Sequence, residues 1–527
     1  MTVDAPGSVR PLVRRLSVAP DPLALYRAVA GNPHTFLLES ADRATGTGER
    51  SLIGVASALH LSADRTATTI TALTPNGRAA LGWLATRIPA AAVTPDALTV
   101  PAPDHGPEPT DERTRFRRAS PLDLVRLVAF GPTLTSRPNP WCHLLVGSIG
   151  YDAIDYFETL PNGTSDPLAQ PWVEFWVPDA LVVVDHRLRT TSVIATAWGG
   201  PGAEARLHDA TRTLEQLIKA VADAPNERPR PTPFGPVDLS GVAVDQDDPT
   251  YAASVASLIE QLRQGEIYQV VPSRTFTLPC EDPLSGYEQL RWRNPSPYLF
   301  FLRGPDRTLL GASPETCLRI DGPTRLVTVV PIAGTAPRGT DRLGRPDPDA
   351  DRRNEVALRH DPKEQAEHLM LVDLARNDIA RISVPGTRQV SRLLEVERYA
   401  HVMHLVSEVN GTLRPEVDAL EAYAATMNMG TLVGAPKVRA AELLRLIEPN
   451  RRGFYGGGVG YLREDGTLET AIVIRSALVQ DGIARVRAGA GVVLDSDPQA
   501  EADETRRKAR AVLEAILAGE PAAVANA

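Results

Sequence analysis

Residues 361–383, DPKEQAEHLMLVDLARNDIARIS, predict a long helix around which the rest of the chain is organised. Asp361 is the expected N-cap, and Pro362 falls at the first helical position, where its missing N–H group is tolerated. Glu364 stands at the reciprocal capping position. Residues 369–372, LMLV, are apolar on more than one face, which indicates that the helix is buried.

Carboxylates at a three-residue spacing occur on this helix and again near the C-terminus. Glu367 follows Glu364 on an apolar face, where an unpaired carboxylate would be costly. Glu501 and Glu504 repeat the spacing in EADETRRKARAVLEAIL (501–517), another good helix. Two helices that both offer acidic oxygens suit Mg2+, which prefers oxygen ligands and retains waters. We predict Glu367 and Glu504 as the metal ligands, with Glu364 acting as a cap and Glu501 solvated.

Length, charge and cysteine usage narrow the class of protein. A chain of 527 residues is too long for one hydrophobic core and predicts two or three lobes. The net charge of -9 and the absence of a Lys/Arg run argue against a nucleic-acid partner. Cys142, Cys280 and Cys317 are far apart, which fits a reducing compartment rather than a disulfide framework. No segment resembles a signal peptide or a membrane span, so we expect a cytoplasmic protein without membrane contact.

The hydrophobic pattern predicts an α+β protein with an antiparallel sheet and packed helices. Residues 178–198 have the pattern of a β-hairpin, and residues 94–114 are polar and Pro-rich, which predicts a surface loop. The Pro-rich segment 223–236 is the predicted linker. It would separate an N-terminal lobe, 20–222, from a C-terminal domain, 237–515.

Three motifs with familiar outlines can be set aside. GTLVGAPKV (430–438) has a proline before its lysine and no Ser/Thr after it, unlike a phosphate loop. YGGGVGY (455–461) is not followed by a helix-opening turn, unlike a dinucleotide fingerprint. No cysteine occupies a Gly-x-Cys-x-Gly elbow, so the chain offers no nucleophile for a built-in glutaminase.

Several single residues allow both a structural and a functional interpretation. His404 lies among apolar residues and is structural unless it faces the same cavity as the carboxylates. Glu315 follows a predicted strand and has the alternative of being a turn residue. Arg475 lies in an apolar strand, where an inward arginine requires a carboxylate partner that a ligand could supply. Gly489 and Gly491 would let backbone N–H groups approach an anion; the alternative interpretation is that they are flexible turn residues. Together these groups suit a small dicarboxylate that undergoes substitution or elimination.

Ten segments resemble the chorismate-utilising enzymes. They are GEIYQVVPSR (265–274), NPSPYLFF (294–301), GASPE (311–315), PIAGT (331–335), EHLMLVDLARND (367–378), VMHLVS (402–407), MNMGTLVGAPKVRA (427–440), RRGFYGGGVGYL (451–462), AIVIRSALV (471–479) and AGAGVVLDSDPQAEADETRRKARAVL (488–513). Within that family the chain is most similar to the large aminase subunits, component I, of anthranilate synthases of the enterobacterial type. The resemblance runs from about residue 20 to 515, and LLES (37–40) resembles that group's tryptophan-binding segment.

The resemblance implies a fold, a metal and a set of site residues. The implied fold is an antiparallel β-sandwich with packed helices that carries the active site, beside an N-terminal regulatory lobe. Mg2+ on Glu367 and Glu504 agrees with the spacing argument above. The implied catalytic residues are Glu315, as the acid that protonates the departing ring hydroxyl, His404, which assists the loss of pyruvate, and Thr431. The implied chorismate-binding residues are Gly334, Thr335, Tyr455, Arg475, Gly489, Ala490 and Gly491.

The implied reaction converts chorismate and ammonia to anthranilate and pyruvate, the first step of tryptophan biosynthesis. Isochorismate- and salicylate-forming members carry a water-activating lysine where Gln269 stands, and aminodeoxychorismate synthases carry a lysine where Ala333 stands. Neither residue of this chain can perform those steps, so ammonia is the expected nucleophile. A synthase that stops at 2-amino-2-deoxyisochorismate and a non-catalytic chorismate-binding protein remain alternatives, although His404 and Thr431 favour elimination of pyruvate.

The resemblance also implies a partner and an inhibitor. A separate glutamine amidotransferase subunit would supply ammonia, in a heterotetramer. Feedback inhibition by tryptophan would act through Leu38, Glu39, Ser40, Arg50, Asn294, Pro297, Tyr298 and Leu299. Arg50 and Leu299 stand where the enterobacterial type usually has lysine and methionine.

Overall fold

The computed structural model describes residues 5–40, 49–103, 111–161, 165–226, 237–340, 347–399 and 402–520. Before residue 227 the strands are β1 (Ser8–Leu16), β2 (Thr35–Glu39), β3 (Arg50–Ala63), β4 (Ala67–Ala72), β5 (Ala92–Val93), β6 (Ala97–Pro101), β7 (Thr133–Leu134), β8 (Leu144–Ile149), β9 (Val173–Asp185) and β10 (Thr190–Trp198). The helices there are α1 (Pro22–Val29), α2 (Pro75–Ala85), α3 (Glu112–Phe116), α4 (Pro121–Phe130) and α5 (Ala203–Asp223), with a 3-10 helix at Tyr151–Tyr156.

After residue 236 the chain is again a mixture of strands and helices. The strands are β11 (Ala243–Val244), β12 (Gln269–Val270), β13 (Ser273–Pro279), β14 (Tyr298–Arg303), β15 (Arg307–Ser313), β16 (Thr316–Asp321), β17 (Leu326–Val329), β18 (Ile332–Pro337), β19 (Gln389–Arg398), β20 (Val402–Thr412), β21 (Gly434–Ala435), β22 (Gly458–Arg463), β23 (Leu468–Ile472), β24 (Ser476–Gln480) and β25 (Ile483–Gly489). The helices are α6 (Asp248–Arg263), α7 (Pro283–Arg293), α8 (Pro348–His360), α9 (Pro362–Ile382), α10 (Ala419–Thr426), α11 (Gly430–Val433), α12 (Lys437–Ile447) and α13 (Pro498–Gly519).

One large sheet joins the strands of both halves of the chain. Within the described residues it contains 23 strands, while β12 and β21 form a separate short ladder. The strand pairs are antiparallel except for β1 with β7. Two ladders connect the halves directly: β2 pairs with β14, with Glu39 opposite Leu299, and β8 pairs with β22, with Ser148 opposite Val459. The predicted α+β class with an antiparallel sheet is confirmed.

The core between the strands draws on both halves as well. One buried cluster contains Phe36, Trp176, Phe300 and Val459, which lie on strands of both halves. Helices cover the outer surfaces, among them α7 and α13, which pack against each other. The burial of these apolar side chains is the main stabilising contribution, at roughly 25 cal/mol for each Å2 removed from water.

Helix α9 begins where the sequence predicts, but it is only half buried. The Asp361 carboxylate accepts hydrogen bonds from the backbone N–H groups of Lys363 and Glu364 at the helix start. Leu371 and Val372 are buried against the sheet, whereas Leu369 is 46% exposed. The prediction of a buried helix therefore holds for the side that packs on β18 and β20, whereas the side that carries Leu369 is open to solvent.

A buried arginine anchors α13 to the sheet and to α6. Arg274 on β13 is 0% exposed and donates to the Thr505 hydroxyl, 2.9 Å away, and to the Ala502 carbonyl, 2.8 Å away, both on α13. It also pairs with Asp248 at the start of α6, at 2.7 Å. Several donors of one planar guanidinium thus fix the helix that carries Glu501 and Glu504.

Other local predictions had mixed outcomes. The hairpin at 178–198 is confirmed as the β9–β10 ladder. The predicted loop at 94–114 contains β6, which pairs with β4, so that part of the prediction was wrong. The linker falls largely on 227–236, outside the described residues, and the division into 20–222 and 237–515 stays a prediction. Among the described helices none combines the length and apolarity needed to cross a bilayer.

Candidate active site

A cavity of about 400 Å3 lies between α9, α13 and the sheet, and most of the predicted site residues line it. β18 contributes Gly334 and Thr335, β20 contributes His404, and β25 ends in the cavity at Gly489. The other predicted residues that line it are Glu315, Glu367, Thr431, Tyr455, Arg475, Gly491 and Glu504. Segments that are up to about two hundred residues apart in sequence therefore meet at one place.

Ala490 is the predicted substrate-binding residue that does not line this cavity. Its side chain is fully buried, and its backbone N–H donates to the Pro272 carbonyl at 3.2 Å. The amide is therefore already used within the protein. Its neighbour Gly489 has no room for a side chain, since a Cβ atom there would lie 2.7 Å from the same carbonyl oxygen.

Four carboxylates from two helices face each other across the cavity: Glu364 and Glu367 on α9, and Glu501 and Glu504 on α13. Burial raises the pKa of Glu367, and the other three carboxylates raise it further, although Lys363 opposes them. Burial likewise raises the pKa of Glu364 and of Glu501. Such mutual repulsion favours binding of a cation.

This arrangement corrects two predictions. Glu364 does not serve only as a helix cap, because it faces the cavity, and its Oε2 lies 3.1 Å from where a Cβ atom of Gly334 would be. Glu501 is half-buried and lines the cavity rather than being solvated. The matching spacing indicated that both helices offer carboxylates to one site, but it could not show which of the four side chains face the cavity.

Two lysines, which the sequence analysis did not consider, neutralise part of this charge. Lys508 Nζ lies 2.7 Å from Glu504 and donates to the Gly489 carbonyl at 3.1 Å. Lys363 Nζ lies 3.9 Å from Glu367. Burial alone would raise the pKa of Glu504, but Lys508 and other cations lower it overall. The spacing Glu504–Lys508, four residues apart on a predicted helix, was the signal that could have identified this pair.

Arg475 adds a further cation, but it does not lie in a strand. It occupies the break between β23 and β24 with a backbone φ angle of 50°, a conformation that residues other than glycine rarely adopt. Burial lowers the pKa of its guanidinium, and no carboxylate of the described residues lies within 4 Å of it. A buried guanidinium without a carboxylate partner in the described protein is available to bind the carboxylate of a ligand. The strand prediction failed because the sequence IVIRSALV gives no sign of the break.

The surroundings of Glu315 keep its carboxyl group protonated and therefore uncharged at neutral pH. It lies between β15 and β16, is 8% exposed, and its backbone carbonyl accepts from the Ile472 N–H at 3.0 Å. Burial raises the pKa of its carboxyl to about 8, while the neighbouring Thr431 hydroxyl and Lys508 ammonium oppose that rise. At neutral pH the side chain therefore carries a proton that it can give to a ligand in the cavity.

His404 faces the same cavity, and its surroundings keep its imidazole ring uncharged at neutral pH. Its Nδ1 donates to the Gly334 carbonyl at 3.2 Å and lies 3.0 Å from the Thr335 hydroxyl. An Nδ1–H in that bond leaves Nε2 with its lone pair. Burial lowers the pKa of the ring to about 4, so the imidazole is uncharged at neutral pH. The functional interpretation of His404 required that it face the carboxylates, and it does.

A second cavity, of about 290 Å3, lies on one face of the paired strands β2 and β14, where the two halves meet. It is lined by the predicted tryptophan-binding residues Leu38, Glu39, Ser40, Arg50, Pro297, Tyr298 and Leu299. Asn294 does not line it but terminates α7. The Ser40 hydroxyl oxygen is buried and has no hydrogen-bond partner among the described residues.

The side chains of neighbouring residues on β2 and β14 point to opposite sides of the sheet. Glu39 turns away from the cavity and pairs with Arg291 at 2.7 Å, while Tyr287 donates to it at 2.7 Å. Leu299 packs into the helix-covered core on that same side. Leu38 and Tyr298 lie on the cavity side, so only the backbone of Glu39 and Leu299 can contact a ligand there.

Comparison with known proteins identifies the family. A family model described as chorismate binding enzyme matches residues 105–514. Anthranilate synthase component 1 of Salmonella typhimurium is 45% identical over 501 residues, which cover 94% of each chain. A pyocyanine-specific anthranilate synthase component 1 of Pseudomonas aeruginosa is 44% identical over 507 residues, covering 96% of this chain and 93% of that protein.

Solved structures agree with this result. Anthranilate synthase component I of Streptococcus pneumoniae superposes with a TM-score of 0.69 at 29% identity, over 88% of this chain and 92% of that one. The menaquinone-specific isochorismate synthase of Escherichia coli superposes with a TM-score of 0.66 at 17% identity, over 97% of this chain and 95% of that one, which is a likeness of fold. The chain therefore belongs to the chorismate binding enzyme family, among the anthranilate synthase component 1 proteins.

Proposed function

We propose that this protein is the chorismate-aminating lyase of an anthranilate synthase. It would convert chorismate and ammonia to anthranilate, pyruvate and water. The observation that carries the proposal is the pairing, in one cavity, of a buried neutral acid, Glu315, with an uncharged base, His404. The pKa of Glu315 lies above 7, so this acid can give a proton at neutral pH, and the pKa of His404 lies below 7, so this base can accept one. A reaction that needs one proton donor and one proton acceptor suits this pair.

Substrate binding rests on the cations and the backbone of the cavity. Chorismate carries two carboxylates, and the described cavity offers the guanidinium of Arg475 and the ammonium of Lys508 to them. Gly334, with φ of 72°, and Gly489 line the cavity with backbone alone, because a Cβ atom at either position would crowd neighbouring protein atoms. Tyr455 adds a buried hydroxyl whose pKa burial raises, so that it stays a hydrogen-bond donor.

The proton transfers follow from the two titrating residues. The proton of Glu315 would go to the departing ring hydroxyl, which leaves as water while ammonia forms the new C–N bond. His404 would then take the proton from the aminated ring carbon, which expels the enolpyruvyl group as pyruvate and gives an aromatic ring. The aromatic product makes this second step strongly favourable.

The nucleophile is inferred from two neutral side chains. Gln269 and Ala333 line the cavity, and neither can act as a general base or form a covalent adduct at neutral pH. The Gln269 Oε1 atom is buried and has no hydrogen-bond partner among the described residues. An acceptor of this kind suits an N–H donor such as ammonia.

Mg2+ is the cofactor that the carboxylate cluster fits. Glu367 and Glu504 would hold the ion, with Glu364 and Glu501 beside them, because four carboxylates offer hard oxygen donors in excess of the two lysines that contact them. No three His, Cys, Asp or Glu side chains form a complete metal cage among the residues that the structure describes. When bound, Mg2+ would supply Lewis-acid chemistry by polarising a substrate carboxylate.

Regulation and assembly complete the proposal. Tryptophan would bind the cavity on the face of β2 and β14 and inhibit the enzyme, and the N-terminal lobe 20–222 would be the regulatory part. An amidotransferase subunit would provide ammonia in a cytoplasmic heterotetramer. The Ser40 hydroxyl, buried without a partner, and the cavity of about 290 Å3 support a ligand that combines apolar and polar groups.

One assay tests the main reaction. The purified full chain is incubated with chorismate, Mg2+ and an ammonium salt at alkaline pH, and the product is followed by fluorescence and mass. Anthranilate is the expected product. A non-aromatic amino product would replace this proposal by a synthase that stops at 2-amino-2-deoxyisochorismate, and the absence of any product would favour a chorismate-binding protein.

A further inference from the structure

The buried side of α9 begins with a polar residue. Buried positions on this helix recur at the spacing of one helical face, and from Leu371 to Ile382 all of them except Asp378 are apolar. His368 is the first buried position, it is 0% exposed, and it directly follows Glu367. A buried imidazole at a position that would suit leucine is costly unless it is hydrogen-bonded. The contacts of His368 therefore indicate what it does there.

The ring of His368 is hydrogen-bonded to β20, the strand on which α9 packs. Its Nε2 atom lies 2.6 Å from the hydroxyl oxygen of Ser407, a residue that is also 0% exposed. The same hydroxyl oxygen accepts the backbone N–H of Leu394 on β19 at 3.0 Å. Leu394 has a φ of 55° and stands at an irregularity of the β19–β20 register, where neither it nor Ser407 is paired in the ladder. One serine therefore joins the helix to two neighbouring strands.

Further along α9, the contacts with the sheet are of a different kind. Val372 and Ile379 pack in the same buried apolar cluster as Val409 of β20. Hydrophobic contacts of this type are not directional, so they leave a helix some freedom to slide or turn on the sheet. A hydrogen bond has a defined length and direction. The bond made by His368, one residue from Glu367, therefore sets the height and the rotation of the first turns of α9.

Height and rotation decide where the carboxylates of α9 point. Glu364 lies one turn before His368, and its Oε2 atom would be 3.1 Å from a Cβ atom at Gly334, so this part of the helix is seated closely on β18. We propose that His368 is a positioning residue for the magnesium site: its hydrogen bond to Ser407 holds the start of α9 so that both of its cavity glutamates face those of α13. The inference rests on the proposed function, since it concerns the cofactor of that reaction.

The test measures binding of Mg2+ as well as turnover. His368→Leu removes the hydrogen bond and keeps an apolar side chain in place, so fewer molecules present both carboxylates correctly. The Kd for Mg2+ from calorimetric titration and the Mg2+ concentration for half-maximal activity should both rise about tenfold. At saturating Mg2+, kcat and the KM for chorismate should stay within a factor of about two. His368→Gln, whose amide can occupy the place of Nε2, should restore most of the affinity for Mg2+.

A second substitution removes the same hydrogen bond from the strand side. Ser407→Ala should weaken Mg2+ binding by a similar factor, and adding His368→Leu to it should weaken binding no further, because both substitutions remove one interaction. Ser391→Ala is the matched control on β19, since its hydroxyl donates to Glu408 at 2.9 Å, and Mg2+ binding should not change. His368→Gln and Ser407→Ala carry the test if His368→Leu does not fold.

The outcomes separate this inference from the proposed function. Variants that lose thermal stability but bind Mg2+ with an unchanged Kd would show that His368 has only a structural role. A loss of kcat that saturating Mg2+ does not restore would also overturn the inference. An unmodified chain that binds no Mg2+ would overturn it together with the metal assignment. If Mg2+ binding depends on His368 as expected and the unmodified chain makes no anthranilate, the proposed function alone is refuted.

Discussion

Burial of Glu315 keeps a proton on a carboxyl group at a pH where glutamate is normally ionised. Its pKa is raised to about 8, so the acid form is present below that pH and is lost above it. Removing the acid while keeping the shape should therefore stop the departure of the hydroxyl group. We expect Glu315→Gln to lower kcat by about 10²- to 10⁴-fold, with little change in the KM for chorismate.

The pH profile gives an independent check of this role. When rates are corrected for the concentration of unprotonated ammonia, the kcat/KM of the unmodified enzyme for chorismate should fall as the pH rises through about 8. The residual activity of Glu315→Gln should lack that step. A variant that retained the same decline would show that another group is responsible.

The raised pKa of Glu315 should also appear in the stability of the fold. Between the ordinary glutamate value and about 8, the folded chain keeps this proton and the unfolded chain releases it. The free energy of unfolding must therefore decrease as the pH rises through that window, by at most about 5 kcal/mol from this residue. In denaturant titrations from pH 5 to 8, Glu315→Gln should lose less stability than the unmodified chain. Equal slopes for both proteins would contradict the buried, neutral assignment.

The carboxylate cluster makes a prediction about Mg2+. Glu367→Gln and Glu504→Gln should each remove one oxygen donor and a charge, and the Mg2+ concentration for half-maximal activity should rise about 10- to 100-fold. The measurement is activity against Mg2+ concentration, together with calorimetric titration of Mg2+. Glu514→Gln, further along α13 and paired with Arg510, is the control and should change neither. Turnover that survives both cavity substitutions unchanged would refute the metal assignment.

Individual site residues differ in how far the sequence could predict them. The acidic spacing on two helices indicated Glu367 and Glu504 directly, because it is a local pattern. Glu315 and His404 carry no local signal, and their roles came from the resemblance to a family. Arg475 was recognised as unusual, but its left-handed backbone depends on the break between two strands, which the residue sequence does not reveal.

At the scale of elements, helix starts were predicted better than helix faces. The cap at Asp361 and the proline after it involve neighbours in sequence, and the helix begins there. Which face is covered depends on strands far along the chain. Leu369 is exposed for that reason, although its apolar neighbours Leu371 and Val372 pack on the sheet. Strand β6 was missed in the same way, since its pairing with β4 outweighs its proline-rich surroundings.

The alternation along β2 and β14 predicts which residues control inhibition by tryptophan. Ser40→Ala removes the hydroxyl that lacks a protein partner, and the concentration of tryptophan for half-inhibition should rise about tenfold. Leu299→Met, whose side chain packs away from the cavity, should leave it within a factor of two, as a swap of similar volume. Inhibition assays and calorimetric binding of tryptophan measure both. If Leu299→Met raised the tryptophan concentration for half-inhibition strongly and Ser40→Ala did not change it, the side of the sheet assigned to the tryptophan cavity would be wrong.

At the scale of the whole molecule, strands from the two halves of the chain belong to one sheet. β2 and β8 from the first half are hydrogen-bonded to β14 and β22 from the second, and a shared apolar cluster lies between them. The cavity proposed for tryptophan takes its walls from both halves, and α7, which holds Glu39 through Arg291, packs on α13 with its site glutamates. The proposed tryptophan site and the candidate active site are thus attached to the same sheet.

This shared sheet predicts how the chain behaves when it is cut. A protease site inserted into the predicted linker 223–236 should allow cleavage, yet the two fragments should remain together on size-exclusion chromatography and retain activity. Separating them would expose the edges of β14 and β22 and the apolar cluster between the halves. Expressed alone, residues 237–527 should therefore aggregate or fail to unfold cooperatively, whereas co-expression with residues 1–236 should restore a soluble, active complex. A stable, active C-terminal fragment would show instead that the sheet does not need its N-terminal strands, and the tryptophan cavity would then have to be a dispensable addition to a complete catalytic domain.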